Sequence, residues 1–308
     1  MQAEVIALLG FGEGGSGIGR GLAAKDGWRG RAPAGSNRPR RLLAVDVALD
    51  QDARGRALGQ RARELDIQIA AGYGEALRQA DVVFSVVPGE SALDAARAAA
   101  PFLKPGALYL DLCTISGPMA ERDRKALAPA GVRYVDIAVM GSFLNFGHRA
   151  PMLLAGEDVE AAAAWMREQG FDVKVLGTKP GSASAVKLLR SVLMKGIEAL
   201  GVECLVAAER QGLVKEVLDN IGDVDKMGFA GFVEMLVNTH VVHAKRRWEE
   251  MELVAKGLAE CGVRPLMTQA IIASHARTVD ARLAPADGKV PPLAQSLAIL
   301  GEKAVGRL

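Results

Sequence analysis

Aromatic residues are scarce in this chain: Phe, Trp and Tyr together make up 5% of its 308 residues. A platform on which successive bases stack needs more of them. Nor is there an excess of charge, because 38 Lys and Arg against 36 Asp and Glu leave a net +2. Nucleic acid is therefore not an expected partner. Cysteine is rare as well. Cys113, Cys204 and Cys261 are far apart, odd in number and without CxxC or zinc-like spacing. Reduced thiols in a cytoplasmic protein are expected, with no resident metal. No segment approaches the run of about eighteen uncharged apolar residues that spans a bilayer, so no membrane partner is expected. The N-terminus lacks the basic start and cleavage site of a signal peptide, and its apolar run stops in a glycine cluster.

What is present is ordinary globular composition, 50% hydrophobic and 24% charged, on a chain long enough for two domains. Short apolar runs at 5–9, 42–45, 82–86, 107–110, 133–137, 152–155 and 173–176 read as strands. Helical stretches at 53–64, 91–101 and 159–169 lie between several of them. That alternation predicts an α/β fold, a doubly wound and mostly parallel sheet of the Rossmann type. After Gly181 the pattern changes. Residues 182–211 read as one long helix, followed by helical stretches at 214–220, 231–258 and 267–283 and no convincing strand. The expected organisation is a dinucleotide-binding domain over 1–178 and an all-α substrate and dimerisation domain over 179–308, the boundary marked by Gly-Thr-Lys-Pro-Gly at 177–181.

Gly10-Phe11-Gly12-Glu13-Gly14-Gly15 fits G-x-G-x-x-G directly after the first strand and at the start of a helical stretch. In that motif the first glycine makes a tight turn, the second admits pyrophosphate, and the third lets helix and strand approach. Asp46 closes the second strand, where a carboxylate binds ribose hydroxyls and repels a 2′-phosphate. It follows Gly15 by 46 − 15 = 31 residues against about 20 in the usual spacing. The excess is assigned to a loop over 28–41 with five arginines and no acid. Arg38, Arg40 and Arg41 precede the strand, at the wrong end to hold a 2′-phosphate unless the loop folds back. NAD is the expected cofactor, with NADP the alternative.

Five ordered signatures make the chain resemble the β-hydroxyacid dehydrogenase superfamily, which includes hydroxyisobutyrate, tartronate semialdehyde and phosphogluconate dehydrogenases. Within it the chain looks most like a little-characterised phosphogluconate-dehydrogenase-like branch. The glycine loop is the first signature, and Val87-Pro88, similar to a Leu-Pro element beside the cofactor, is the second. The third is Asp111-Leu112-Cys113-Thr114-Ile115-Ser116, similar to Asp-x-Ser-Thr-Ile, with Cys113 in place of the usual serine. The resemblance puts Thr114 at the nicotinamide. The fourth runs from Asp136 to Ser142 and resembles the substrate loop Asp-Ala-Pro-Val-Ser-Gly-Gly. It gives Met140, Gly141 and Ser142 as carboxylate-binding positions, with methionine where the family has serine.

The fifth signature, Gly181-Ser182-Ala183-Ser184-Ala185-Val186-Lys187, resembles G-x-G-x-x-x-K and implies that Lys187 is the catalytic lysine. Alone, a helical lysine is nearly always a solvated charge. Ser191 stands where relatives have asparagine, on the same helix face as Lys187, with Arg190 beside them as a substrate contact. Lys245, in His243-Ala244-Lys245-Arg246-Arg247, occupies the place of a family lysine that reaches the nicotinamide; an exposed basic stripe is the alternative. His240 and His243 have a ligand-like i, i+3 spacing but no motif around them.

The resemblance implies hydride transfer between a nicotinamide and a small β-hydroxy acid or its semialdehyde or keto form. Lys187 would be the general acid-base group, its pKa lowered by burial or neighbouring cations. Imine reduction on the same fold and a non-catalytic dinucleotide-binding sensor are the competing readings. The long helix at 182–211 and the helical second domain point to a homodimer or higher homo-oligomer.

Overall fold

The computed structural model describes residues 3–24, 28, 40–50, 52–222, 228–283 and 289–305. Two compact units divide the chain, Met1–Val192 and Leu193–Leu308.

The first unit is a sheet wound on both faces. Its strands are β1 (Val5–Leu9), β2 (Arg41–Val45), β3 (Gln68–Ile69), β4 (Val82–Ser85), β5 (Leu108–Asp111), β6 (Arg133–Val139), β7 (Met152–Ala155) and β8 (Val173–Gly177). They lie in the order β3-β2-β1-β4-β5-β6-β7-β8. Every neighbouring pair is parallel except β6 and β7. β1 is buried along its whole length because helices cover both faces of a parallel sheet. This explains why Val-Ile-Ala-Leu-Leu is a continuous apolar run rather than an alternating one. β3 was not anticipated from sequence; at two residues it is too short to show a period.

The connecting helices are α1 (Glu13–Ala23), α2 (Asp52–Leu65), α3 (Tyr73–Leu77), α4 (Ala92–Ala99), α5 (Gly117–Leu127), α6 (Phe143–Phe146) and α7 (Val159–Glu168). One core layer joins Ile18 and Leu22 of α1 to Trp165 and Met166 of α7 across Phe84 and Leu110 of the sheet. The opposite layer holds Ala92 and Ala96 of α4 and Ala120 and Leu127 of α5, against Tyr109 and Tyr134 of the sheet. α1 is an unusual helix for its glycine content, since each glycine costs about 1 kcal/mol relative to alanine. Packing overrides the propensity: a Cβ at Gly14 would press on Val86 and Phe143, and one at Gly21 would overlap His148. The glycines let the segment after β6 lie directly on α1.

The helix α8 (Ser182–Arg210) begins after the sheet ends, and the division between the two units falls within it. The second unit continues with α9 (Val214–Asn220), α10 (Phe229–Glu260), α11 (Leu266–Asp280) and α12 (Leu293–Leu300). Glu203 of α8 holds the start of α11 by accepting from Met267 N at 2.8 Å and Thr268 N at 2.9 Å, a carboxylate where a helix leaves N–H groups unpaired. Among the described residues, no helix is long and apolar enough to cross a membrane.

Candidate active site

In a sheet of this order the winding reverses between β1 and β4, and the C-terminal ends of those strands form a crevice. Most of the sequence-derived site residues of the first unit fall on that edge. Gly10 follows β1 with φ +87°, a left-handed conformation that L side chains rarely adopt, and a Cβ there would meet Val86 O at 2.5 Å. Gly15 packs directly on the turn, since its Cβ would lie 2.0 Å from Gly10 O. Gly12 faces open space: a Cβ there meets nothing within 4 Å. No side chain caps α1, so its first-turn N–H groups are left for an anion. These residues fit a dinucleotide pyrophosphate. Glu13 is exposed at the start of α1, whereas the Phe11 side chain is fully buried in the core.

Asp46, at the end of β2, is tied to the same turn. Its Oδ2 accepts from Phe11 N at 2.7 Å and its Oδ1 from Ala48 N at 2.8 Å. A carboxylate has about four acceptor positions, so two remain. Arg40 and Arg41 are occupied at the other end of the strand: Arg40 lies over the Trp28 ring at 5.0 Å, and Arg41 donates to Gln79 Oε1 at 2.5 Å. Most of the arginine-rich loop, Arg38 included, falls outside the described residues.

Val87 and Pro88 follow β4, and the turn after β5 carries Thr114. The two turns touch, since a Cβ on Gly89 would lie 2.2 Å from Thr114 O. Cys113 is buried, its thiol 3.5 Å from Ser85 Oγ. Burial and the Asp111 charge push that thiol well up. It is an inert packing group here.

Lys187 reaches Thr114 across 73 residues of sequence, its Nζ donating to Thr114 Oγ1 at 2.9 Å. Two contacts make this possible. Gly181 (φ +84°) lies back to back with Gly117, a Cβ on either being 3.0 Å or less from the other's carbonyl oxygen. Asp136 of β6, 1% exposed, accepts from Ser184 N at 3.1 Å and Ser184 Oγ at 2.5 Å, which sets the register of α8. Sequence reasoning quoted Asp136 and Ser184 within motifs but gave neither a role, because a hydrogen bond between positions 48 apart leaves no local signal. Burial lowers the Lys187 pKa, and no carboxylate lies within ion-pair distance of it among the described residues.

Ser191 donates its hydroxyl to Lys187 O at 2.9 Å, so its proton is engaged with the helix backbone. Arg190 is exposed on α8. After β6, Met140 spends its N–H on Pro151 O at 2.7 Å. Ser142 caps α6, its Oγ accepting from Leu144 N at 3.1 Å, and Gly141 lies between them. Lys245 belongs to the other unit, where it is exposed on α10. His240, in that unit, contacts Thr278 Oγ1 at 2.9 Å and the His275 ring at 4.7 Å. Burial, with His275 and Arg247 nearby, brings its pKa down to about 4.

Sheets of this winding receive dinucleotides where the strand order reverses, and the class of protein that this frame defines is a nicotinamide-dependent oxidoreductase. The model of the NAD binding domain of 6-phosphogluconate dehydrogenase matches residues 6–177, more than half of the 308-residue chain, and the chain belongs to that family. A second model, a domain of unknown function (DUF1932), matches residues 208–278.

Conserved protein MTH1747, described as of unknown function with structural similarity to 3-hydroxyacid dehydrogenases, is 29% identical, covers 91% of this chain and 98% of its own, and superposes with a TM-score of 0.56. An L-threonate dehydrogenase of Escherichia coli is 28% identical over 125 residues, 40% of this chain and 41% of that one. A reductive aminase from Aspergillus terreus, in complex with NADPH and ethyl levulinate, shares the fold at a TM-score of 0.73. It is 14% identical and covers 97% of this chain and 100% of its own.

Proposed function

We propose that the chain transfers hydride between NAD and a small β-hydroxy acid, or the corresponding semialdehyde or keto acid, with Lys187 as general acid-base group. One observation carries the reading: a half-buried lysine without a carboxylate partner among the described residues, aimed by Thr114 at the edge where the glycine turn lies. A bound nicotinamide supplies the hydride acceptor or donor. Lys187 Nζ takes the hydroxyl proton during oxidation and returns it during reduction. The bond to Thr114 Oγ1 fixes one N–H and so directs the remaining valence. Burial favours the neutral amine that can accept a proton.

Gly10, Gly12 and Gly15 would hold the pyrophosphate, with Phe11 and Glu13 contributing backbone, and Val87 and Pro88 would flank the cofactor. Asp46 would accept from the ribose hydroxyls with its two free positions. Its charge, and the engagement of Arg40 and Arg41 elsewhere, support NAD over NADP. A substrate carboxylate would take the Gly141 and Ser142 N–H groups, because that of Met140 is already donated to Pro151. Arg190 supplies a neighbouring cation.

The test is a screen of small β-hydroxy acids and cyclic imines followed by nicotinamide absorbance, beside titrations with NADH and NADPH. Turnover of a hydroxy acid with NADH bound more tightly is expected. Turnover of imines alone would replace the proposal with C=N reduction, and cofactor binding with no turnover would favour a sensor. Tighter binding of NADPH would overturn the role given to Asp46.

A further inference from the structure

α5 buries Ala120, Asp123 and Leu127, a stripe at i, i+3 and i+7 with a carboxyl group in its middle. Asp123 is 1% exposed. Among the described residues neither of its oxygens accepts a hydrogen bond. Its polar neighbour is the carboxyl of Asp111, 2% exposed at the end of β5. Asp111 is otherwise well supplied, since Oδ1 accepts from Cys113 N at 3.0 Å and Oδ2 from Tyr134 Oη at 2.8 Å.

Two ionised carboxylates can only accept, so a bond between them requires a proton. Two adjacent like charges in a dry layer are also strongly disfavoured. Asp111 has two donors holding its charge and Asp123 has none, which puts the proton on Asp123. We infer that Asp123, which no motif marks, is a positioning residue that keeps a proton, donates it to Asp111, and thereby holds the Cys113–Thr114 turn where Lys187 meets it. Only the effect on turnover rests on the reading of Lys187 given above.

The groups facing the pair come from four elements and a turn. Tyr109 comes from β5, Tyr134 and the buried carboxyl of Asp136, beside Asp111 in the sheet, from β6, the Cys113 thiol from the turn, Arg122 from α5 and Arg97 from α4. Arg97 is solvated and paired with Asp94 at 3.7 Å. Burial, then the Asp111 charge and the bond to it, push the Asp123 carboxyl up to about 7 despite the two arginines. The folded chain thus binds this proton more tightly than the unfolded one. The stabilisation is fully present below the ordinary carboxylate range and is lost as pH rises through about 7. Above that, repulsion between the carboxylates acts on α5 and on the Asp111–Cys113 bond.

Infrared spectra of the whole protein test the proton without substrate. Below about pH 7 the wild type should show the carbonyl band of a protonated carboxylic acid, which fades above that pH and is absent from Asp123→Asn. The urea midpoint of the wild type should fall across the same range. That of Asp123→Asn should stay level, because a carboxamide donates to Asp111 without acquiring charge. Asp123→Ala should lower kcat by up to about 10²-fold, the cost of displacing a catalytic group by an ångström, and Asp123→Asn should restore it. A wild type without the band, or a carboxamide variant with the wild-type pH slope, overturns the inference. Equal turnover in the alanine and carboxamide variants overturns the positioning role. An active Lys187→Ala enzyme in which the band persists would instead remove the reading of Lys187 and leave the buried proton standing.

Discussion

Lys187 is under two opposed demands. A lysine that acts as a base near neutral pH must be desolvated, and desolvation penalises its charged form. Because burial lowers its folded-state pKa, the folded chain binds fewer protons there than the unfolded chain does. The lysine therefore subtracts from stability at neutral pH, and that loss is recovered as pH rises. Lys187→Met should unfold at a higher temperature than wild type at neutral pH and be inactive, a trade of stability against function. Calorimetry and turnover on the same sample check both halves. Lys187→Ala should cut turnover by about 10²–10⁴-fold with little change in cofactor affinity. Lys187→Arg should fail too, since a guanidinium stays protonated. In the oxidative direction the rate should rise with pH to a midpoint below the ordinary lysine range, because the neutral amine is the active form. A pH-independent rate would remove Lys187 from the chemistry.

At the scale of elements, the turn from β1 into α1 offers a controlled comparison. Gly12 and Gly15 belong to one motif, yet their surroundings differ. A methyl group at Gly15 would enter the Gly10 carbonyl at 2.0 Å, whereas one at Gly12 meets nothing within 4 Å. Gly15→Ala should destabilise the fold by about 1–3 kcal/mol, the usual cost of overpacking. Gly12→Ala should leave the melting temperature unchanged and weaken NADH at least about tenfold, 1.4 kcal/mol. Calorimetry and cofactor titration separate the two, and equal effects on both readouts would contradict the assignment of Gly12 to the pyrophosphate. The entry of α8 makes a similar case. Ser184→Ala removes the hydroxyl from a buried Asp136 and should cost about 1–3 kcal/mol.

At the scale of the whole molecule, the two units differ in how they bury apolar surface. The buried clusters of the described residues all lie in the first unit. The helical unit has buried residues such as Ala207, Val241 and Ile272, but leaves Leu218, Ile221, Leu253, Leu266 and Leu297 between 48% and 68% exposed. Its helices α8, α9, α10 and α11 also border an apolar cavity of about 360 Å³. A unit of that length with no buried cluster among its described residues is expected to take further apolar cover. A second copy of the chain is the proposed source, as the long apolar helices lead one to expect. Light scattering should give a dimer or a multiple of one at micromolar concentration, and a monomer would refute the assembly.

By itself the sequence determined what depends on neighbours along the chain. Apolar runs of strand length, broken by turns, specify a doubly wound sheet. Gly10, Gly12 and Gly15 follow the first strand at the spacing a tight turn requires, and residues 182–211 could be read as one helix for want of a proline. The tertiary structure decided the pairings. Whether Asp46 is free or bound to Phe11 N, whether the Ser191 hydroxyl faces outward or folds onto Lys187 O, and whether Asp123 lies in water or against Asp111 are not properties of those residues. They follow from distances between segments that are remote in sequence and adjacent only when the sheet is wound. An aspartate reads the same in a string of letters wherever it stands. Its charge, its partners and its proton are set by what the fold packs around it.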